Sequence, residues 1–268
     1  MSAESEAGGG RAKALALLDN PIVGLSPWIA FALITGPSRL ELAAVLALGL
    51  AVVVFGLGRF RGGSVKILEL ADIVFFGGLA IVVALASDSQ REWLELWSGE
   101  IANIALAVIA LGSIAIREPF TLQYARESAP REVWNTPEFL HVNYVITWAW
   151  AIAFVIGAAS GFYGDQVLDN SDNLWTGWVI QTAAIILAIQ FTQWYPDRAQ
   201  ARFARERGEP ADEVPISGLL VALSGWITAV GIIVLASGEG PTALGVGLLV
   251  VGGLITRFLA SDASDAGS

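Results

Sequence analysis

The sequence has no cysteine and one histidine, His141, among its 268 residues. Disulfides, thiolate metal sites and cysteine nucleophiles are therefore excluded, and so are zinc sites that need several imidazoles. Lysine is nearly as scarce. Neither Lys13 nor Lys66 lies inside a long apolar run, which argues against a Schiff-base lysine within a span. No glycine-rich phosphate loop occurs either. We therefore expect no enzyme, no bound metal and no cofactor.

Charge is scarce as well. Only 15% of the residues are charged, and the 25 acids outnumber the basic residues to give a net charge of −10, which argues against nucleic acid as a partner. Hydrophobic residues make up 55% of the chain, and its mean hydropathy is +0.63. This composition is typical of an integral membrane protein, so the lipid bilayer is the first expected partner.

Apolar runs recur along the chain, each about long enough to cross a hydrocarbon layer of roughly 30 Å. They predict an all-α, polytopic transmembrane bundle of about eight spans within residues 19–259. Prolines bracket and interrupt the first run, so a re-entrant or partly extended segment is the alternative there. The predicted spans are Pro21–Gly36, Leu40–Leu57, Leu70–Ser87, Trp97–Ile116, Val142–Gly161, Trp175–Tyr195, Ile216–Ala236 and Thr242–Leu259.

The distribution of basic residues predicts the orientation. Of the 15 Lys and Arg residues, only Arg39 and Arg91 fall in one of the two alternating sets of loops. Short cytoplasmic loops carry the excess of basic residues, so both termini are expected in the cytoplasm, as a tail at 1–18 and an acidic tail at 260–268. A basic cytoplasmic loop is expected at 196–215. The expected location is the cytoplasmic membrane of a prokaryote.

Polar residues inside the spans are the candidates for function, because they are costly in lipid. One hypothesis is that they line a polar pathway; the other is that they form hydrogen bonds between helices. Glu69 and Asp72 share a helical face, which suits a proton-linked or cation-binding pair. The same acids also suit a helix N-terminus that follows basic residues. The six candidates are Asp72, Asn103, Asn143, Thr147, Gln181 and Gln190.

A charged segment with three prolines, 117–141, separates the predicted fourth and fifth spans. We call it the elbow. Pro119 can begin a helix that places Phe120 and Tyr124 on one face. The elbow is expected to lie at the cytoplasmic membrane surface or to dock a partner. Its candidate residues are Arg117, Pro119, Phe120, Tyr124, Arg126, Trp134 and His141.

The elbow also carries a family resemblance. The residues "PF" at Pro119–Phe120, "APREVW" at 129–134, and then Asn143, Trp150 and Phe154 resemble the intracellular septation protein A family of bacterial inner-membrane proteins. The earlier "NPIVGLSPWIAFALI" and "REWLELW" fit the same layout, and the resemblance covers Asn20 to Tyr195. The insertion "NTPEFLHV" and the last two spans depart from the family pattern.

The resemblance implies a role in septation and cell-envelope organisation, with no established chemistry. We therefore expect a non-enzymatic membrane protein that acts through its cytoplasmic loops on other membrane or division proteins. The alternative is a small-solute or ion transporter or channel that uses the intramembrane polar residues. Glycines spaced for helix contact, such as Gly245 and Gly252, indicate a bundle or a homo-oligomer without distinguishing the two.

Overall fold

The computed structural model describes residues 20–170, 173–238 and 240–265, with side chains as far as Leu259. Within these residues the chain forms α-helices and no strand. The predicted tail at 1–18 lies outside the described residues, and the predicted tail at 260–268 is helical as far as Asp265.

The helices are α1 Pro21–Gly24, α2 Ser26–Ile34, α3 Leu40–Phe60, α4 Ile67–Leu85, α5 Asp88–Ala115, α6 Phe120–Ser128, α7 Pro137–Phe162, α8 Ile180–Glu206, α9 Ser217–Ser237 and α10 Thr242–Asp265. A 3₁₀ turn at Arg131–Val133 precedes α7. Two π-helical turns, Tyr163–Val167 and Trp175–Val179, continue α7 and lead into α8.

In the described part of the chain, seven helices are long and apolar enough to cross a membrane: α3, α4, α5, and α7 to α10. Their apolar windows have mean hydropathies between 1.3 and 2.5. Many large apolar side chains on these helices are exposed, including Val74, Leu85 and Phe258, as a surface in contact with lipid requires. The chain is thus a multi-pass helical membrane protein, and these helices lie where seven of the eight predicted spans were expected.

The first predicted span, Pro21–Gly36, is not one continuous helix. Helix α1 ends at Gly24, and α2 begins at Ser26 with Pro27 in its first turn. Proline suits the first turn of a helix because it lacks the N–H that an interior position must donate. Pro27 therefore starts a second helix instead of extending the first. This interruption corrects the prediction of a single helical span: the segment consists of two short helices joined at Leu25.

The chain divides into two compact units, Met1–Ala151 and Ile152–Ser268, and the division falls within α7. In the first unit, α3 turns a stripe of buried alanines toward its neighbours: Ala43, Ala44, Ala47 and Ala51. Small residues let helix backbones approach closely, and α3 packs against both α2 and α4.

The interrupted segment, Asn20–Arg39, runs alongside α4. Gly24 lies against Leu68 in the first turn of α4, and Phe31 packs on Phe76 with ring centroids 5.4 Å apart. Farther along, the Ser38 N–H donates to a carboxylate oxygen of Glu95 on α5, at 3.2 Å. The segment therefore follows α4 from its first turn toward its far end.

In the second unit, α9 and α10 form a hairpin with close backbone contact. A Cβ at Gly231 would lie 2.9 Å from the carbonyl oxygen of Gly245, and one at Gly252 would lie 2.8 Å from the Thr228 backbone nitrogen. The Thr256 hydroxyl donates to the Ser224 hydroxyl across the same contact, at 2.9 Å. The prediction that glycines mediate helix contact is thus met at Gly245 and Gly252, whereas nothing lies within 4 Å of a Cβ at Gly247 or Gly253.

This contact predicts opposite outcomes for two alanine substitutions on α10. Gly252→Ala should lower the free energy of unfolding by about 1–3 kcal/mol, because the added methyl group overlaps the Thr228 backbone. Gly247→Ala should be neutral or stabilising by up to about 1 kcal/mol, because alanine favours the helix and the position is open. Thermal unfolding of the purified proteins in detergent measures both. Equal effects at the two positions would contradict the close contact.

Candidate functional site

A cluster of ionisable and aromatic side chains is buried in the first unit at the start of α4. Its members are Trp28, Lys66, Glu69, Asp72 and Tyr124, and we call it the ionic cluster. The three charged side chains are 1–3% exposed, and Tyr124 is 1% exposed. Burial of charge is costly unless partners compensate it, so the contacts of each group determine what the cluster can do.

Local sequence places the charged members together. Lys66 is the N-cap residue of α4, and Glu69 and Asp72 follow it at successive intervals of three residues. Glu69 and Asp72, three positions apart, share a helical face, and Lys66 precedes them at the helix start, where its side chain reaches Glu69. The two acids also lie in the first turns of α4, where the helix dipole favours negative charge.

The elbow helix α6 covers this end of α4. The side-chain oxygen of Gln123 accepts the Ile67 N–H at 2.7 Å, which satisfies one of the free donors at the helix start. Two residues before Lys66, the Ser64 N–H and hydroxyl both donate to Oε1 of Glu127, at 2.8 and 2.6 Å. These bonds hold Tyr124 of α6 over the cluster.

Lys66 is the cation of the cluster. Its Nζ lies 3.3 Å from Oε1 of Glu69 and 5.1 Å from the centre of the Tyr124 ring. A more distant contact, 3.9 Å, reaches Glu127, whose side chain is 23% exposed at the rim. Lys66 therefore compensates Glu69 first, and Glu127 is also stabilised by Ser64 and by water.

Asp72 has a different partner. The indole Nε1–H of Trp28 donates to Oδ1 of Asp72 at 2.6 Å, a short hydrogen bond. Trp28 belongs to α2, and its ring packs against both Phe75 and Phe76, with ring centroids at 4.6 and 4.8 Å. The bond thus ties the interrupted segment to α4, but a neutral indole adds no positive charge.

Three polar atoms of the cluster are buried without a hydrogen-bond partner: Oε2 of Glu69, Oδ2 of Asp72 and the hydroxyl oxygen of Tyr124. Buried polar groups in folded proteins are nearly always paired, so three orphans in one cluster mark it as unusual. The geometry leaves two carboxylate acceptors and one hydroxyl available to a small bound species.

The elbow groups beside α4 respond to this environment. Burial raises the pKa of Tyr124 well above its ordinary value, and the nearby carboxylates of Glu69 and Asp72 raise it further, so the hydroxyl stays neutral. Burial also pushes the pKa of Glu127 upward, but the bonds from Ser64 and the charge of Lys66 outweigh it and leave that pKa lowered. Tyr124 is therefore a neutral hydroxyl donor, and Glu127 a carboxylate.

The six predicted pathway residues are not brought together as one set. Asp72 joins the ionic cluster. Thr147 and Asn143 instead meet Thr121 of α6: the two threonine hydroxyls are 2.7 Å apart, and the Thr121 hydroxyl donates to the Asn143 carbonyl oxygen at 3.0 Å.

The remaining predicted pathway residues are half-buried. Asn103 lies on α5, and Gln181 and Gln190 lie on α8 of the second unit. The side-chain amide of Asn143 donates within α7 to Phe139, at 2.9 Å, and that of Gln181 donates to Thr176 in the preceding turn, at 3.0 Å. These contacts are local and suit a structural role.

The elbow residues divide into buried and exposed sets. Pro119, Phe120 and Tyr124 are buried, so one face of α6 packs inward. Arg126 pairs with Glu118 at 2.9 Å and lies over the ring of Trp134. Arg117 and His141 are exposed, and Arg117 adopts a positive φ of 64° at the turn that leads into α6.

The sequence predicts basic residues just before Glu69 and Asp72 at the start of their helix, and Lys66 is the one that pairs with Glu69. Sequence reasoning misses Trp28 as the partner of Asp72. Trp28 carries no comparable signal, because its contact depends on the tertiary path of α2.

Comparisons of the chain with protein-family models, with curated proteins and with solved structures find no match. The resemblance to the septation protein A family therefore stays a prediction.

The Lys66–Glu69 pair predicts strong coupling in a double-mutant cycle. Lys66→Met should lower the free energy of unfolding by about 3–5 kcal/mol, because it leaves buried carboxylates without their cation. Adding Glu69→Gln should recover much of that loss, since the orphaned charge is removed. Unfolding of the parent, both single variants and the double variant in detergent gives the cycle. Simple additivity would mean that the two side chains do not interact.

Proposed function

We propose that this protein is a membrane transporter or channel for a small solute or ion, and that transport depends on the ionic cluster. The observation that carries this proposal is a buried group of charges, within a membrane protein, that its own contacts do not fully satisfy. Ionisable residues within membrane spans commonly mark ion and substrate pathways.

A cluster with a purely structural role would need fewer buried ionisable groups than this one contains. The Lys66–Glu69 pair alone would anchor the start of α4 to α6. Asp72 adds a second buried carboxylate that no cation contacts directly, and such a charge reduces stability. A costly group of this kind is explained by a function that uses its charge.

The proposed topology has eight crossings, seven continuous helices and the interrupted segment Asn20–Arg39. Support comes from the course of that segment along α4 and from the asymmetry of basic residues. Both termini and the elbow then lie in the cytoplasm of a prokaryotic cell, and the ionic cluster lies near the cytoplasmic end of α4. Interrupted helices in transporters often occur at the binding site, where the break frees backbone groups.

The septation and envelope-organising role stays a prediction of the family resemblance. In that role the elbow would act as a docking surface for a partner protein. The buried contact of Tyr124 with Lys66 instead gives the elbow a part in the ionic cluster, which supports the transport proposal. The paired arginines of 196–215 also contact their own chain: Arg205 binds Glu213 at 2.9 Å, and Arg198 donates to the Val214 carbonyl at 2.9 Å.

Flux through proteoliposomes tests the proposal. With an imposed gradient of protons, alkali ions or small solutes, the parent should carry at least one of them faster than empty vesicles. Asp72→Asn should reduce that flux to the background leak, because it removes the charge but keeps the shape. Glu132→Gln is the matched control, since it neutralises an exposed acid of the elbow and should leave flux unchanged. Background leak in the parent over a broad panel would contradict the proposal.

The absence of cysteine makes the topology directly testable. Single cysteines placed at Ser5 and at Asn135 should react with a membrane-impermeant maleimide added on the cytoplasmic side. A single cysteine placed at Ser89 should react with the reagent added on the opposite side. The parent chain supplies a background without thiols. A cysteine at Ser5 that reacts on the same side as one at Ser89 would show that the interrupted segment does not cross the membrane.

A further inference from the structure

We propose that the ionic cluster binds one exchangeable monovalent cation, an alkali ion or a proton, at the free oxygens of Asp72 and Glu69 beside the Tyr124 hydroxyl. This inference rests on the proposed function and names the class of ion that it involves. It is argued from the charge balance, from the unpartnered atoms and from the space around them.

The charge balance calls for one more positive charge. Within the fully buried part of the cluster, Lys66 faces two carboxylates, Glu69 and Asp72. Glu127 belongs to the rim, where Ser64 and water stabilise it. One buried negative charge is therefore left without a counter-charge, and a single bound cation would compensate it.

The unpartnered atoms show where the cation would bind. Lys66 occupies Oε1 of Glu69, and Trp28 occupies Oδ1 of Asp72. The second oxygen of each carboxylate and the Tyr124 hydroxyl have no partner, although all three atoms are buried. Hard monovalent cations and protons bind oxygen atoms of these kinds, so the cluster offers a set of ligands that its own hydrogen bonds do not consume.

The space around the cluster excludes a large occupant. A Cβ on Gly24 would overlap the Tyr124 hydroxyl and lie 3.1 Å from Leu68, so the backbone of the interrupted segment closes that side. The Trp28 ring, packed against two phenylalanines and hydrogen-bonded to Asp72, closes the side toward that carboxyl group. Within the described residues, no group of three or more His, Asp or Glu side chains is arranged to hold a metal ion. A single small charge fits these limits better than an organic cation or a divalent metal.

All titratable groups that face the cluster enter its response to pH. They are Lys66, Glu69 and Asp72 on or beside α4, and Tyr124 and Glu127 on α6; Arg61 acts on the cluster through its effect on Glu127. Alkali ions and protons would compete for the same carboxylates. Binding of an alkali ion should therefore tighten as the pH rises.

Ion-dependent thermal unfolding of the detergent-solubilised parent tests the proposal without any transport assay. At constant pH and ionic strength, replacing choline with lithium, sodium or potassium should raise the unfolding temperature along a saturable curve if the cation is an alkali ion. The concentration at half-effect should fall with rising pH. Asp72→Asn should abolish the dependence, and the exposed control Glu132→Gln should retain it.

Infrared difference spectroscopy of the same samples tests whether the bound cation is a proton. If the cation is a proton, alkali ions should have no specific effect, and a protonated carboxyl band should disappear on raising the pH. That band should be absent from Asp72→Asn. No saturable alkali effect together with no titrating carboxyl band assigned to Asp72 would overturn the proposal.

Tyr124→Phe provides a second variant in case Asp72→Asn does not fold. It keeps the ring beside Lys66 and removes a hydroxyl that has no partner, so folding should be preserved. The alkali concentration at half-effect should increase, or the pH at which the carboxyl band titrates should shift. An unchanged response would remove Tyr124 from the site. If the protein binds a cation but shows no flux, the transport proposal is refuted and the cation-binding proposal stands. If it shows flux but no response to cations or protons, the cation-binding proposal is refuted and the transport proposal stands.

Discussion

The hydrogen bond from the Trp28 indole to the Asp72 carboxylate is the contact on which the first unit depends. It joins the interrupted segment to α4 at a depth where no water competes for either group. The bond satisfies one oxygen of Asp72 and leaves the other without a partner. The same contact holds the Trp28 ring against the rings of Phe75 and Phe76.

The elbow completes this arrangement from the other side. Its helix α6 satisfies the N–H of Ile67, places Tyr124 against Lys66, and is joined to α7 through the Thr121–Thr147 contact. A segment that is charged and rich in proline thus has an inward face that is almost completely buried. Its polar composition serves the start of α4, where unpaired backbone donors and a buried lysine both need partners.

Much of the fold follows from the sequence, because an apolar run of about 20 residues in lipid must satisfy its backbone hydrogen bonds internally and therefore forms a helix. Asp72 could be identified as a candidate for the same reason, since a carboxylate inside a span needs an explanation. The pairing of Lys66 with Glu69 follows from their spacing at a helix start, whereas the burial of both depends on α6 folding back over α4. The predicted span Trp175–Tyr195 is shorter than the helix: α8 continues through Pro196 to Glu206, into the predicted loop 196–215, at the loss of one backbone hydrogen bond and supported by the alanines and arginines that follow.

That continuation makes α8 longer than a membrane is thick. With its leading π turn it comprises 32 residues, which at 1.5 Å per residue is about 48 Å, against a hydrocarbon thickness of about 30 Å. The excess is about 18 Å, and it is matched by the ten polar-rich residues after Pro196, which add about 15 Å of helix and carry Arg198, Arg202 and Arg205. A helix of this length therefore presents arginine side chains directly beyond its apolar part, where they are suited to contact lipid phosphates.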